Sequence, residues 1–271
     1  MIAQQARKRQ ILELQPIYSM WKRELIRFFS MRARVFSFIA SPFTWLIFLA
    51  IPLSRVFPAG QLTMGVPFFA FVVPGIIGMG LLFGGTNSGV TVLWDKEFGF
   101  LKEVMVAPVR RISLIMGRSL GALTINIIQA LLTLAVALIA GIWLGFRIDS
   151  FAGFLLGMVF MILTFFASVG FGLTLGALIE ETEGYMTIVR VIEMPLFFLS
   201  GGLLPVTVMK GIPVLYQIQF LNPLTYGVDG IRGAFSGVYL ISPSVDFIVV
   251  AVCAMVFLSL GAYEFSKMEV G

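Results

Sequence analysis

WDKEFGFLKEVMVAPVRR, residues 94–111, is the one long charged segment set between two apolar runs that are each long enough to cross a bilayer. Lys96, Lys102, Arg110 and Arg111 assign it to the cytoplasmic side, because short basic loops stay on that side of a membrane. Asp95, Glu97 and Glu103 are interleaved with them, so the segment is mixed in charge. Phe98, Leu101 and Met105 recur at helical spacing, and Phe100 and Val104 form a second apolar row. A short helix with two apolar faces follows, one turned to the membrane and one left for something else. Pro108 ends it, since proline lacks the backbone donor and disfavours helical geometry in the residue before it. The pattern reads as a docking helix for a soluble partner; the plainer reading is a solvated loop lying on lipid headgroups.

Working outward, composition sets the class. Of 271 residues, 59% are hydrophobic and 12% charged, against about 25% charged in an ordinary soluble domain. The chain reads as an all-α polytopic membrane protein. Its formal charge of +5 is gathered in the first 34 residues, which suits an anionic leaflet rather than nucleic acid. The single cysteine, Cys253, lies in an apolar run, so no disulfide framework is expected. There is no histidine, which removes His-based acid–base chemistry and most zinc sites. Arg7, Lys8 and Arg9 are followed by mixed sequence, unlike a cleavable signal.

Residues 1–35 form a cytoplasmic arm. Within it, 16–34 read as an amphipathic interfacial helix, with Ile17, Trp21, Leu25 and Phe28 on one row. Residues 36–263 hold six expected transmembrane helices at about 36–53, 66–93, 114–144, 151–179, 186–204 and 245–263, lengths set by a hydrocarbon layer of ~30 Å. The second carries Gly80/Gly84 and Gly85/Gly89, the third Gly117/Gly121, the fourth Gly153/Gly157 and Gly172/Gly176, each pair four apart and suited to close helix packing. Glu180, Glu181 and Glu183 make an acidic inner loop. Residues 205–244 are too long for a turn and too apolar for a solvated loop. With Pro205, Pro213, Pro223 and Pro243 they read as outer re-entrant helices, which protein or a wet cavity must shield. Residues 264–271 are a cytoplasmic tail. Fourteen basic residues on the side of the termini against four on the other place both ends in the cytoplasm, in a multi-pass cell-membrane protein.

No lysine precedes Ser or Thr, so the GxxxxGK[ST] phosphate loop is excluded. If ATP drives this protein, a separate chain hydrolyses it. Residues 117–121, GRSLG, match a GxSxG hydrolase elbow, but they lie inside an expected span and no histidine can act as base. Arg190 and Glu193 are three apart on one helical face and can pair. If their helix begins near Met186, Glu193 is about 10 Å along it; a structural ion pair and a gate or relay both fit. Asn126 and Gln129 share a face, and Thr86, Asn87 and Ser88 crowd the second span, suiting interhelical hydrogen bonds or substrate contact.

With these segments placed, the chain resembles the permease subunits of type-2 ABC transporters, including exporters of the daunorubicin-resistance and nodulation-factor kinds. The resemblance covers nearly the whole chain. Its most specific parts are WDKEFG (94–99) with APVRR (107–111), and FLNPLTY (220–226) with GIRG (230–233). VPGI (73–76) and LSGG (199–202) add to it. The resemblance implies six spans, a connecting helix over 17–34, a coupling helix between spans two and three, and re-entrant helices before span six. It implies a dimer, of the chain with itself or a paralogue, bound to two copies of an ATP-binding-cassette ATPase that carries the ATP and Mg. No cofactor is expected in this chain. By position, Glu97, Phe98, Gly99, Leu101, Met105 and Pro108 belong to the ATPase-coupling helix, and Arg110 and Arg111 sit by the headgroups. Asn222, Pro223, Tyr226 and Arg232 would shape an outer gate. The expected activity is export of an amphipathic drug-like or lipid-like cargo. Export of a lipid-linked glycan is the alternative within the group, and an ion-coupled transporter using Glu193, Arg190 or Asp246 the alternative outside it.

Overall fold

The computed structural model describes residues 2–57, 60, 63, 65–97, 111–179 and 181–267, and every regular element among them is helical. Helix α1 (Ile2–Ser30) stops at Met31, whose extended backbone (φ −95°, ψ 93°) turns the chain into α2 (Arg32–Trp45). The break falls at Met31 rather than at residue 34, so Arg32 and Arg34 belong to the following helix. A π turn (Leu46–Ala50) joins α2 to α3 (Ile51–Val56), and the three form one apolar stretch from Arg32 to Val56. Two prolines shape this stretch. Pro52 follows the π turn, a widened ladder that accommodates a residue without an amide donor. Pro42 leaves the carbonyl of Phe38 without its helical donor, and Gln129 Nε2 approaches that oxygen at 3.5 Å.

Helix α4 (Phe68–Glu97) is the centre of the molecule: it is buried over most of its length, whereas the other long apolar helices are buried over half or less. Against it pack α5 (Arg111–Leu144), α6 (Phe151–Leu178) and α7 (Thr182–Leu199), while α11 (Pro243–Lys267) packs on the far side against α6. Between α7 and α11 the chain breaks into α8 (Val206–Met209), α9 (Pro213–Ile218), a 3-10 turn (Gln219–Leu221) and α10 (Pro223–Ser236). The breaks foreseen at Pro205, Pro213, Pro223 and Pro243 all fall beside helix starts, where proline's fixed φ is tolerated. Serine and asparagine caps begin two of these helices. Ser150 Oγ accepts from Gly153 N at 2.9 Å, and Asn222 Oδ1 accepts from Leu224 N at 3.0 Å.

Five helices among the described residues are long and apolar enough to cross a membrane: Arg32–Val56, Phe68–Thr91, Met116–Leu144, Phe151–Leu178 and Pro243–Glu264. The expected fifth span, 186–204, is corrected. Its helix is α7, which starts at Thr182, ends at Leu199, and holds Glu183, Arg190 and Glu193 in 18 residues.

Apolar burial between helices gains little where lipid is the alternative, so close packing and small residues must hold such a bundle. The crossing of α4 and α6 shows how. A Cβ at Gly89 would run into the carbonyl of Gly172 and the Tyr185 ring, and one at Gly85 into Ser168. Gly84 similarly faces Asn126 of α5. Gly80 departs from the expected packing pair: a Cβ there would meet no atom within 4 Å. Among the described residues eight buried phenylalanines, Phe68, Phe69, Phe71, Phe146, Phe160, Phe165, Phe197 and Phe235, fill the core on and around α4.

Candidate functional site

Four places among the described residues carry the polar chemistry: the C-terminal end of α4, a buried network beside it, helix α10, and a groove between α2, α4 and α5. At the first, Glu97 closes α4 and Arg111 opens α5. Phe98, Gly99, Leu101, Met105, Pro108 and Arg110 lie outside the described residues. Both roots of the segment are firmly held. Val90 and Leu93 pack with Tyr185 and Val189 of α7, with Trp94 against them. On α5, Gly117 and Gly121 leave room for α1, where Ile17, Met20, Trp21 and Glu24 close in. Trp21 Nε1 donates to Thr124 Oγ1 at 3.0 Å, and Arg118 Nε meets Glu24 Oε1 at 3.4 Å. Residues 117–121 are therefore a helix-packing surface inside α5, and the GxSxG match follows no strand among the described residues.

The buried network joins α4, α6 and α7. The Tyr185 hydroxyl lies 2.7 Å from the carbonyl of Thr86 and 3.1 Å from that of Gly172. The Thr86 hydroxyl donates to the buried Glu193 carboxylate. No ion pair within 4 Å joins Arg190 to Glu193 among the described residues, and the expected pairing is corrected on that point. Residues three apart on a helix are offset by about 60°; Glu193 turns inward to Thr86 while Arg190 is exposed.

Helix α10 is buried on nearly every side. Asn222 caps it and also sends Nδ2 to the Leu196 carbonyl at 2.6 Å. Pro223 is its first residue, and with Asn222 it lines a cavity of about 170 Å³ against α4, α6, α7 and α11. Tyr226 donates to the Phe220 carbonyl at 2.8 Å, closing the turn before the helix. Arg232, expected with these residues at an outer gate, is enclosed at 1% exposure. Its guanidinium stacks 3.9 Å over Phe71, meets Asp229 at 3.6 Å, and donates to the carbonyls of Phe71 (3.3 Å) and Gly201 (2.6 Å). A cation taken out of water needs that full set of partners. The N-terminal half of α4 is thereby pinned to α10 and to the loop after α7, where Gly75 and Gly202 also touch.

Asp229, missing from the sequence reading, holds the cluster together. Its carboxylate pairs with Arg232 and accepts from the amides of Leu240 and Ile241 at 2.9–3.1 Å. The signal was present as an acid three residues before Arg232 inside an apolar helix. Asp246 is fully buried beside this cluster, close to the Asp229 carboxylate.

The polar residues of spans two and three line a groove between α2, α4 and α5. Asn126 Nδ2 donates to the Ala122 carbonyl (2.9 Å) and Asn87 Nδ2 to the Phe83 carbonyl (2.7 Å). Both side chains, with Gln129 and Ser88, border a space of about 470 Å³.

The model of a family described as ABC-2 type transporter matches residues 15–236 of this chain. Among relatives, ycf38 of Cyanophora paradoxa, named as a transport permease, is 26% identical over 82% of this chain and 75% of that protein. The probable multidrug ABC transporter permease YbhR of Escherichia coli is 30% identical over 66% of this chain and 46% of its own length. The probable doxorubicin resistance ABC transporter permease protein DrrC of Mycobacterium tuberculosis is 26% identical over 66% of this chain and 62% of its own.

Proposed function

The chain belongs to the ABC-2 type transporter family, and from that membership we propose that it is the permease subunit of an ATP-driven exporter of amphipathic, drug-like or lipid-like molecules. That it is a membrane-embedded transport permease follows from the family and its apolar helices; cargo, partner and direction are the proposal. The relatives named for multidrug and doxorubicin transport support an amphipathic cargo. In this reading α7 is the short fifth of six spans, at ~27 Å for 18 residues, and α8 to α10 form the outer re-entrant layer. Helix α1 is the interfacial arm, and both termini lie on the cytoplasmic side of the cell membrane. Two copies, or this chain and a paralogue, hold two ATPase subunits, which supply the ATP and Mg chemistry.

The single observation that carries the mechanism is the course of α4. It runs from the root of segment 98–110 to the outer layer, where Arg232 grips the Phe71 carbonyl and Gly202 touches Gly75. A closing ATPase that pushes on Phe98, Leu101 and Met105 displaces one continuous helix, and that displacement reaches α10 without an intermediate loop. Glu97, Gly99, Pro108, Arg110 and Arg111 shape the handle and seat it at the headgroups.

The test is the double substitution Phe98→Glu with Leu101→Glu in the permease–ATPase complex. ATP hydrolysis by the ATPase is expected to continue while cargo uptake into inverted vesicles, where the cytoplasmic face is outward, falls to the level without ATP. Uptake at the unsubstituted rate would refute the coupling role.

A further inference from the structure

The groove between α2, α4 and α5 is graded in polarity along its length. Glu24, Arg34 and Arg118 border one end, and Asn87, Ser88, Asn126 and Gln129 its middle. A narrower cleft continues past Gly80 and Trp45 to Ile76, Ile77 and Thr133. Three features mark it as a ligand site rather than a packing defect. Gly80 costs its helix about 1 kcal/mol relative to alanine, yet no neighbour needs the room, for a Cβ there would touch nothing. What the glycine supplies is open space inside the groove. Ser88 borders the same space at 4% exposure, and its hydroxyl has no hydrogen-bond partner. An unmatched polar group away from water is costly, and an acceptor brought in by a ligand removes that cost. The third feature is charge: the guanidinium groups of Arg34 and Arg118 border the same end, where Glu24 meets Arg118 at 3.4 Å.

An occupant that fits has an anionic head, ester or similar acceptors beneath it, and an apolar body. From Arg118 to Gln129 the groove runs ~16 Å along α5, enough for a glycerol backbone and the upper part of an acyl chain below a phosphate. We propose that this groove binds one anionic glycerophospholipid drawn from the cytoplasmic leaflet, with its phosphate at Arg34 and Arg118 and an acyl chain passing Gly80 towards Trp45. As the loading position for export this rests on the function proposed above; as a binding site it does not.

The experiment uses the full chain in phosphatidylcholine vesicles with a small fraction of phosphatidylglycerol carrying a photoreactive acyl chain, without nucleotide or ATPase, so that failure of the export reading leaves its outcome untouched. After illumination, label is expected on groove-facing residues of α2 and α4, displaced by unlabelled phosphatidylglycerol and not by added phosphatidylcholine. Gly80→Leu, whose side chain enters open space, should cut that label about tenfold or more by filling the site. Label on the outer faces of α6 and α11 should be unchanged, which also shows that the variant is folded. Arg34→Gln should abolish the preference for phosphatidylglycerol while label remains. Groove label unaffected by Gly80→Leu, or no denser than on the outer faces, overturns the site. Equal displacement by phosphatidylcholine overturns the headgroup assignment.

Discussion

Arg232, expected at an outer gate from its place in GIRG, is held by three residues: Asp229, the ring and carbonyl of Phe71, and the carbonyl of Gly201. These contacts make it a staple between α4, α10 and the loop after α7. Removing one member of such a pair leaves the other charge buried, at a cost of about 3–5 kcal/mol. Arg232→Met is expected to destabilise the solubilised chain by that order in a denaturant titration, and adding Asp229→Asn should recover part of the loss. If Arg232→Met unfolds like the unsubstituted chain, the staple is refuted. At the inner network, Tyr185→Phe removes the hydroxyl shared by the Thr86 and Gly172 carbonyls and should cost about 1–2 kcal/mol. Glu193→Gln keeps an acceptor for Thr86, so its loss in the same titration should be smaller than that of Glu193→Leu. No periodicity could have announced these partners, because Thr86 and Glu193 are 107 residues apart, and Phe71 and Arg232 are 161 apart.

Among the elements, α4 carries the packing argument. Glycines four apart are a pattern that any membrane helix can show, and only the neighbours decide which of them matter. Gly89 abuts Gly172 and Tyr185, whereas Gly80, on the same helix, opens on the groove. Gly89→Val should therefore separate α4 from α6 and sharply lower the yield of monodisperse protein on size-exclusion chromatography. Gly80→Ala should leave yield intact and raise stability by up to about 1 kcal/mol, the difference in helix propensity. Equal behaviour of the two variants would contradict the crossing. The prolines were more legible, since each fixes its own backbone: helices begin beside Pro205, Pro213, Pro223 and Pro243. The fifth span was placed too far along the chain. Apolar residues continue past Leu199, but the backbone turns at Gly201 (φ 69°) and cannot extend the helix.

For the whole molecule, sidedness can be tested directly, because the chain has one cysteine. In a Cys253→Ser background, Lys102→Cys should react with a membrane-impermeant maleimide only in inverted vesicles. Arg147→Cys, in the exposed turn between α5 and α6, should react in intact cells. The reverse pattern would refute the orientation on which the export mechanism depends. By itself the sequence determined the membrane class, the approximate course of five long helices and the broken segment before the last of them. These follow from composition, run length and charge, which are properties of neighbours along the chain. Only the tertiary structure decided that α4 is the core, that Glu193 meets Thr86 and not Arg190, that Arg232 is sealed in, and that Gly80 faces a groove. Each of those depends on how helices are rotated against one another, and helical periodicity specifies a face without saying what it will meet.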